Sequence, residues 1–204
     1  MTETAAGRDT RPAAPGARIR PVRDGDWPRI AALEADAYAS CSLSEGQAAL
    51  EAKGRASPGT CFVLDLDGRV AGYLLALPYP RFRYPDLAQE EEPVRRARNL
   101  HLHDVVVAGD QRGRGWGGRL LARLTAAARP AYDHISLIAV GGMASFWAAR
   151  GYRAHPEIPL PQSYGDDAVY MSLTVPGSGT GVQKEVARFP CPVSSTSSGV
   201  PSWR

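Results

Sequence analysis

The hydrophobic pattern of the chain begins with a short apolar strand at residues 19–22, which is followed by a helix. In that helix the apolar residues recur at helical spacing, at Ile30, Leu33 and Ala37. Either Asp24 or Asp26 can cap the helix, and a proline in its first turn is compatible with such a start. The pattern therefore predicts a strand followed directly by an amphipathic helix.

A second helix and a hairpin follow. The helix is predicted to begin near Ser44, because Ser44 and Gln47 have capping-box spacing, and the Pro-Gly pair at 58–59 ends it. Residues 60–77 then read TCFVLDLDGRVAGYLLAL, two apolar segments joined by Asp-Gly at 67–68. Asp-Gly is a favoured turn of two-residue hairpins, so this segment is predicted to form two antiparallel strands.

The second half of the chain alternates between apolar strands and helices after an irregular segment at 78–99. The pattern predicts a strand, a helix, a strand, a short helix and a strand, at residues 100–107, 115–128, 135–140, 145–150 and 167–175. Together with the first half, this order predicts a mixed sheet with helices on its faces, a fold of the α/β (α+β) class.

The two ends of the chain differ in composition from the middle. Residues 1–16 are rich in Thr, Ala, Pro and Gly, and residues 176–204 begin with PGSGTG and end with SSTSSGVPSWR. Neither segment has a usable hydrophobic period. Both are therefore predicted to be mobile tails on either side of one domain at residues 17–175.

The overall composition narrows the class of protein. Hydrophobic residues make up 44% and charged residues 22%, which allows a buried core, and the net charge of +3 is too small for a dedicated nucleic-acid binder. The sequence shows neither an apolar segment of membrane-spanning length nor the apolar region of a secretory signal at its N-terminus. The cysteines are few and far apart, which favours a reducing cytoplasm over disulfides or a zinc site.

The segment LHLHDVVVAGDQRGRGWGGRLL, at residues 100–121, carries the most informative chemistry of the chain. Glycines and arginines meet at the junction of its strand and its helix, at Gly113, Gly115, Gly117, Gly118, Arg112, Arg114 and Arg119. Glycine lets the backbone turn sharply and approach a ligand, and the first amides of a helix attract anions. The segment therefore predicts a phosphate site.

Four interpretations of this site can be compared. A nucleotide P-loop requires Lys and then Ser or Thr after its last glycine, whereas Gly118 and Arg119 stand there, so it is excluded. A dinucleotide fingerprint has an acidic residue at about the right distance, Asp133, but too little chain follows for the rest of that sheet. A repeated, disordered Arg-Gly segment that binds RNA does not fit a single occurrence between core elements. The pyrophosphate of coenzyme A fits the site best.

These residues resemble the GNAT N-acetyltransferase superfamily. RGRGWG at 112–117 matches its R-x-x-G-x-G signature, and the preceding HDVVVAGD is similar to the family's fourth strand. Downstream, SLIAVGGMASFWAARGYR at 136–153 is similar to the next strand and helix of the family. The resemblance covers about residues 17–175. It implies the GNAT fold, a mixed, mostly antiparallel sheet of about six to seven strands flanked by about four helices.

By this resemblance acetyl-CoA is the co-substrate, and no metal site is predicted. The main chain of Val105, Val106 and Val107 would pair with the pantetheine arm as an added strand does. Main-chain amides would hold the pyrophosphate, at Gly113, Arg114, Gly115, Trp116, Gly117 and Gly118. Arg112 or Arg114 would lie near it. A main-chain amide at Val105 or a neighbour would face the oxyanion.

Two histidines are the candidate base. His101 and His103 would share one face of the strand with Val105 and Val107, and imidazole titrates near neutral pH. The His-x-His spacing is similar to that of arylalkylamine N-acetyltransferases, in which two such histidines relay a proton, and His103 ranks ahead of His101 here. Asp104 would point to the opposite face and is interpreted as a carboxylate with a main-chain partner.

The general acid is the position at which the chain departs from the family pattern. Trp147 stands where many members have tyrosine, and indole has no proton to give near neutral pH. Water, another tyrosine or no acid at all would then serve. The candidate tyrosines are Tyr38, Tyr73 and Tyr164.

Together these features predict an acetyl-CoA-dependent N-acetyltransferase that acts on a primary amine of a small molecule by direct attack. The segment at 78–99 and the first two helices would meet that amine, and the acidic run Glu90, Glu91 and Glu92 is interpreted as a solvated loop. The first alternative is a non-catalytic module that binds acyl-CoA, and the second is an RNA-binding protein that uses the Arg-Gly segment. We expect a cytoplasmic monomer or homodimer with neither a nucleic-acid nor a membrane partner.

Overall fold

A seven-stranded sheet with helices on both faces forms the centre of the protein, and a computed structural model describes it over residues 16–39, 43–85 and 97–177. The strands are β1 (Ala17–Pro21), β2 (Phe62–Leu66), β3 (Arg69–Pro78), β4 (Asn99–Val107), β5 (His134–Ala139), β6 (Arg153–Ala154) and β7 (Val169–Thr174). The helices are α1 (Trp27–Ala37), α2 (Gln47–Ala56), α3 (Trp116–Ala128) and α4 (Ala144–Ala148). The predicted tails, apart from Gly16, Pro176 and Gly177, lie outside the described residues, as do Glu90, Glu91 and Glu92.

The sheet is mixed and mostly antiparallel, as the sequence predicted. Its strand order is β1-β2-β3-β4-β5-β7-β6, and β4 and β5 form the parallel pair within the described ranges. The strand β6 has two residues and was not predicted, because so short a segment has no hydrophobic period. The predicted fold class is confirmed.

The predicted hairpin turn is present between β2 and β3. Asp67 and Gly68 both have positive φ, 51° and 85°, as a type I′ turn requires. The predicted start of the second helix is wrong, because α2 begins at Gln47 and the Ser44 hydroxyl donates to the Glu34 carboxylate at 2.7 Å. A long-range partner on α1 thus takes the hydroxyl that the local pattern assigned to the helix cap.

The sheet has a hydrophobic core on each face. On one face α3 and α4 pack against the strands, and Leu120 and Leu124 are fully buried there. On the other face α1 and α2 pack through Ile30, Leu33 and Leu50. Burial on both faces fixes the helices relative to the strands. Across the described ranges, no helix combines the length and the apolar character that a bilayer crossing requires.

Strand β4 contains a β-bulge at His103. Leu75 of β3 pairs with Asp104 and Ala76 pairs with Leu102, so His103 has no opposite residue on β3. Because one residue is inserted, the side chains beyond the bulge lie on the opposite face from the one that simple alternation predicts.

The bulge overturns the prediction that His101 shares a face with Val105 and Val107. These valines pack against the core beside α3, whereas His101 lies on the other face near the ring of Tyr170. Asp104, which was predicted to face away from the histidines, lines one pocket together with them. The inserted residue therefore brings a carboxylate and an imidazole to one side of the sheet.

A buried ion-pair cluster joins β1, β2 and the start of α1. The Arg20 guanidinium donates to Asp65 at 2.8 Å and to the two oxygens of Asp26 at 2.6 Å and 2.8 Å. Asp26 precedes α1, but its side chain is engaged in this cluster and does not cap the helix as predicted. The hydrogen bond from Arg20 lowers the pKa of Asp65 from 3.8 to about 2.

Replacement of Asp65 by Asn should lower the free energy of unfolding by about 2–3 kcal/mol, because Arg20 loses a buried charged acceptor. The folded pKa of Asp65 lies below its ordinary value, so its stabilisation is complete above about pH 4 and is lost as pH falls through about 2. Urea unfolding at neutral and acidic pH measures both effects, and the Asn variant should show a smaller acid-induced loss.

The matched control is Asp110→Asn, which removes an exposed partner of Arg69 at 3.5 Å. An exposed pair contributes little, so this change should alter the unfolding free energy by less than about 0.5 kcal/mol. Equal losses in the Asp65 and Asp110 variants would show that burial of the pair is not what matters.

Candidate active site

The chain turns from β4 into α3 through a loop that requires glycine. Gly113 and Gly115 have positive φ, 74° and 80°, a conformation that residues with a Cβ disfavour. Gly115 is the residue before α3, so the predicted strand–glycine–helix junction is present. The first amides of α3 have no partner within the helix and carry the positive end of its dipole.

The first turn of α3 is open to an approaching ligand. A Cβ placed on Gly117 or on Gly118 would meet no atom within 4 Å apart from the neighbouring backbone of its own helix. Arg114 is exposed beside this turn, and Arg112 is exposed as well and donates from Nε to the Val107 carbonyl at 3.1 Å. Amides, open space and two guanidinium groups together suit a diphosphate.

Trp116 offers its main-chain amide to this junction, because its side chain belongs to the core. The indole is 8% exposed and packs against Leu64 and Ala71. The Arg119 guanidinium lies over the indole, 4.8 Å from the ring centroid. This contact holds the charge of Arg119 at the start of α3.

A cleft separates the ends of β4 and β5. These parallel strands pair from Asn99 with His134 to His101 with Ser136, and beyond these three residue pairs they diverge. The cleft has a volume of about 290 Å³ and reaches Gly117 on α3. Its walls are mainly apolar and include Leu102, Val105, Val107, Leu121, Phe146 and Trp147.

The main chain of β4 faces this cleft beyond the bulge. Ala108 donates to the opposite Ala71 carbonyl at 2.9 Å, and hydrogen-bonded pairs alternate along an antiparallel ladder. The main-chain groups of Val106 therefore face β3, and those of Val105 and Val107 face the cleft. The Val106 side chain is buried in the core beside α1. Of the three predicted valines, Val105 and Val107 therefore line the cleft.

His103 stands where the cleft meets a second, smaller pocket of about 60 Å³. Five residues line both cavities: Tyr38, His103, Asp104, Ile138 and Val140. His103 Nε2 lies 2.5 Å from Glu45 Oε1, and the Lys53 ammonium is paired with the other oxygen of Glu45. An imidazole oriented by a carboxylate is an arrangement suited to a general base.

Glu45 was not predicted, and it lies 58 positions before His103, in the loop between α1 and α2. The buried Glu34 carboxylate accepts hydrogen bonds from the Glu45 amide, at 2.6 Å, and from the Ser44 hydroxyl. These two bonds hold the loop in place. Burial raises the pKa of Glu45, but the hydrogen bonds and charges of His103 and Lys53 outweigh burial and lower it. The carboxyl group is therefore ionised at neutral pH. No local pattern relates residues so distant in sequence.

Asp104 is buried beside His103 and accepts hydrogen bonds from two tyrosines. The Tyr38 hydroxyl donates to Oδ1 at 2.8 Å, and the Tyr73 hydroxyl donates to Oδ2. Burial raises the pKa of Asp104 above its ordinary value, and burial with the Asp104 charge raises the pKa of Tyr73. The Asp104 carboxyl group is therefore protonated more readily than an exposed aspartate.

His101 occupies a different environment from His103. It is buried in the wall of the smaller pocket, and its Nδ1 lies 3.1 Å from the Ser136 hydroxyl. Burial, with a smaller contribution from the neighbouring His103, lowers the pKa of His101 to about 3. Its imidazole is therefore neutral at physiological pH, whereas that of His103 faces an ionised carboxylate.

The structure separates the candidate proton donors by position. Trp147 is buried in the wall of the larger cleft, with its ring 5.2 Å from that of Tyr152. Tyr38 lines both cavities, whereas Tyr73 is fully buried. Tyr164 lines the smaller pocket, and its hydroxyl donates to the Pro85 carbonyl at 3.1 Å. Among the three tyrosines, Tyr38 is the one at the junction with His103.

A comparison with protein families assigns the fold. The family model described as Acetyltransferase (GNAT) family matches residues 27–152, which is more than half of the chain. The chain belongs to the GNAT acetyltransferase family. The matched range of this GNAT protein contains the glycine junction as well as Glu45 and His103. The narrower similarity to arylalkylamine N-acetyltransferases stays a prediction.

Solved structures share the GNAT fold at low sequence identity. Ard1 from Thermoplasma volcanium aligns with a TM-score of 0.62 and 18% identity, over 78% of this chain and 98% of that one. The GphF GNAT-like decarboxylase in complex with isobutyryl-CoA aligns with a TM-score of 0.61 and 20% identity, and the alignment covers 78% of this chain and 99% of that chain. A GNAT family acetyltransferase from Brucella melitensis in complex with acetyl-CoA aligns with a TM-score of 0.54 and 20% identity. This alignment covers 78% of this chain and 87% of that chain. Among curated proteins, no sequence matches significantly.

Two glycines at the start of α3 should respond to alanine in opposite directions. Gly115→Ala should destabilise the free protein by about 1–2 kcal/mol, because alanine disfavours the positive φ at the helix start. Gly118→Ala should stabilise it by up to about 1 kcal/mol, since residue 118 is helical and the space beside it is open. Urea unfolding measures both changes. Similar losses in the two variants would rule out backbone conformation as the reason for Gly115.

Proposed function

We propose that this GNAT chain transfers an acetyl group from acetyl-CoA to a primary amine of a small molecule, by direct attack of the amine on the thioester. The observation that carries the proposal is the position of His103, paired with Glu45 where the apolar cleft meets the smaller pocket. A cleft that reaches anion-binding amides suits the coenzyme, and a pocket lined by carboxylates suits an ammonium group.

The glycine junction and the free edge of β4 support the donor side of the proposal. The amides of residues 113–118, with Arg112 and Arg114 beside them, would hold the pyrophosphate. The main chain of Val105 and Val107 would pair with the amides of the pantetheine arm as an added strand does. Two of the aligned proteins were solved with isobutyryl-CoA or acetyl-CoA, which is consistent with such a donor.

The His103–Glu45 pair supports the acceptor side. Because Glu45 is ionised, His103 donates its Nε2 hydrogen to Glu45, which leaves the lone pair of Nδ1 to take a proton from the ammonium group. Glu45 then stabilises the imidazolium that results. The freed amine attacks the carbonyl carbon, and a main-chain amide at Val105 would donate to the carbonyl oxygen as negative charge develops.

Tyr38 supports a route for the last proton. When the carbon–sulfur bond breaks, the thiolate needs a proton, which Trp147 cannot supply. The Tyr38 hydroxyl reaches the junction of both cavities and is hydrogen-bonded to Asp104. The hydroxyl would turn from Asp104 to the thiolate to deliver its proton, and the tyrosinate would regain a proton from solvent.

One observation favours the alternative function, a non-catalytic module that binds acyl-CoA. Trp147 stands where many family members have a tyrosine. Its indole lines the wall of the cleft but has no proton to give near neutral pH. Such a module would bind the coenzyme as tightly as an enzyme does and would release no thiol with any amine.

Replacement of His103 by Gln should lower kcat for acetyl transfer by about 10²–10³, because the ammonium loses its base. The Kd for acetyl-CoA should change by less than about twofold, since the proposed contacts to the pantetheine arm and the pyrophosphate come from residues other than His103. Thiol release measures kcat with arylalkylamines, polyamines, amino acids, aminoglycosides and peptide N-termini, and calorimetry measures Kd. Glu45→Gln should give a smaller loss of kcat, about tenfold, because the base survives without its ionised partner.

The matched control is His134→Gln, which removes a half-buried imidazole at the first residue of β5 and should leave both quantities unchanged. Absence of any heat of binding with CoA and acetyl-CoA would reject the coenzyme assignment. Binding of acetyl-CoA without turnover of any amine in the panel would select the binding module instead.

A further inference from the structure

A third cavity, here named the aromatic pocket, lies beyond the small pocket at His103. It has a volume of about 360 Å³ and is lined by Tyr79, Phe82, Arg83, Tyr84, Ile158 and Pro159. These residues come from the chain that follows β3 and from the loop between β6 and β7. The acetyl-transfer chemistry uses none of them.

Ring contacts join the aromatic pocket to the small pocket. His101 lines the small pocket, and its ring centroid lies 6.1 Å from that of Tyr79 in the aromatic pocket. Tyr164 lines the small pocket as well, and its ring meets that of Tyr84 edge to face at 6.0 Å. The two pockets are therefore neighbours, and these rings lie between them.

Phe82 is held in an unfavourable conformation in this pocket. Its φ is 63°, a value that a bulky side chain disfavours by about 1–2 kcal/mol. The Phe82 amide donates to the Tyr170 hydroxyl at 3.0 Å, and its ring packs edge to face on His155 at 5.1 Å. The ring is nevertheless 40% exposed. Surrounding contacts thus maintain a strained residue that presents an aromatic surface, as ligand clamps do.

The two pockets carry different ionisable groups. The small pocket is lined by three acidic side chains, Glu34, Glu45 and Asp104, of which Glu45 is paired with Lys53. The aromatic pocket is lined by one ionisable group that is always charged, the guanidinium of Arg83. The neighbouring Arg81 guanidinium lies over the Phe82 ring, 4.4 Å from its centroid. An acceptor that spans both pockets would meet acidic side chains at one end and Arg83 at the other.

We propose that the acceptor is an amine with an aromatic body and an anionic group at its far end, bound with its ammonium at His103 and Glu45 and its anion at Arg83. This inference rests on the proposed acetyl transfer and specifies its substrate class. The aromatic body packs against Phe82 and Tyr84. Polyamines are disfavoured, because a second ammonium group would meet Arg83.

Three amines test the inference in the wild-type protein: an aminoethyl-benzoate, its uncharged aminoethyl-benzamide analogue, and ethylamine. The benzoate should be acetylated with about tenfold higher kcat/KM than the benzamide, because a charged hydrogen bond to Arg83 distinguishes them. Both aromatic amines should exceed ethylamine. Equal kcat/KM for the benzoate and the benzamide would overturn the assignment of Arg83.

Two variants separate the charge from the ring. Arg83→Gln should remove the preference for the benzoate and leave kcat/KM for the benzamide within about twofold. Phe82→Gly keeps the positive φ and deletes the ring, so it should lower kcat/KM for both aromatic amines by about tenfold and leave that for ethylamine unchanged. The control is Arg69→Gln, an exposed arginine at the start of β3, which should alter none of these ratios.

A binding measurement keeps this inference distinct from the proposed reaction. Calorimetry with the aminoethyl-benzoate in the presence of CoA should give binding to the wild type and at least fivefold weaker binding to Arg83→Gln, as expected for loss of one charged contact. This result without turnover would reject acetyl transfer and retain the acceptor site. Turnover of amines with equal binding to both proteins would retain acetyl transfer and reject the acceptor site.

Discussion

The divergence of β4 from β5 is the constraint on which the rest of the structure depends. A parallel pair that continued to Val107 would satisfy the main chain of Val105 and Val107 within the sheet and leave no cleft. Because the pairing ends at His101 with Ser136, the edge of β4 beyond that point faces a cavity. The same strand then runs into the glycine junction before α3, so the cleft that this divergence opens ends at the anion-binding amides of the helix.

The β-bulge adds polar chemistry to this opening. Without it, alternation would place Asp104 on the same face as Leu102, among the apolar side chains beside α3. The extra residue lets β4 bury Leu102 and Val105 on one face and present His103 and Asp104 to the pocket. A bulge next to a reactive group is a common use of this irregularity, because it re-aims side chains at little cost to the ladder.

Buried charges around His103 are satisfied by one another. Glu34 holds the loop that carries Glu45, Glu45 is shared between His103 and Lys53, and Asp104 accepts two tyrosine hydroxyls. These partners come from α1, the loop that follows it, α2, β3 and β4, so the network forms when the helices dock on the sheet. A buried carboxylate without such partners would be costly, which explains why the acidic residues of this pocket occur with tyrosine, serine and lysine.

Much of the fold followed from the sequence, because the decisive signals are local. Apolar periodicity predicted the main strands and helices, Asp67 and Gly68 predicted the hairpin, and the glycines from 113 onward predicted the strand–helix junction. The predicted capping role of Ser44 was wrong, since a hydroxyl prefers a buried carboxylate to a helix end, and that carboxylate is ten residues away. Periodicity likewise cannot reveal a strand of two residues such as β6.

What the sequence by itself determined was therefore the order of elements and the place where a helix start is free to meet an anion. The tertiary structure decided which side chains surround His103. Glu45 is 58 positions distant, and the inserted residue in β4 reverses the faces on which His101 and Asp104 were expected. The physical reason is that backbone conformation is set mainly by near neighbours, whereas strand register and the docking of α1 and α2 depend on the packing of the whole core.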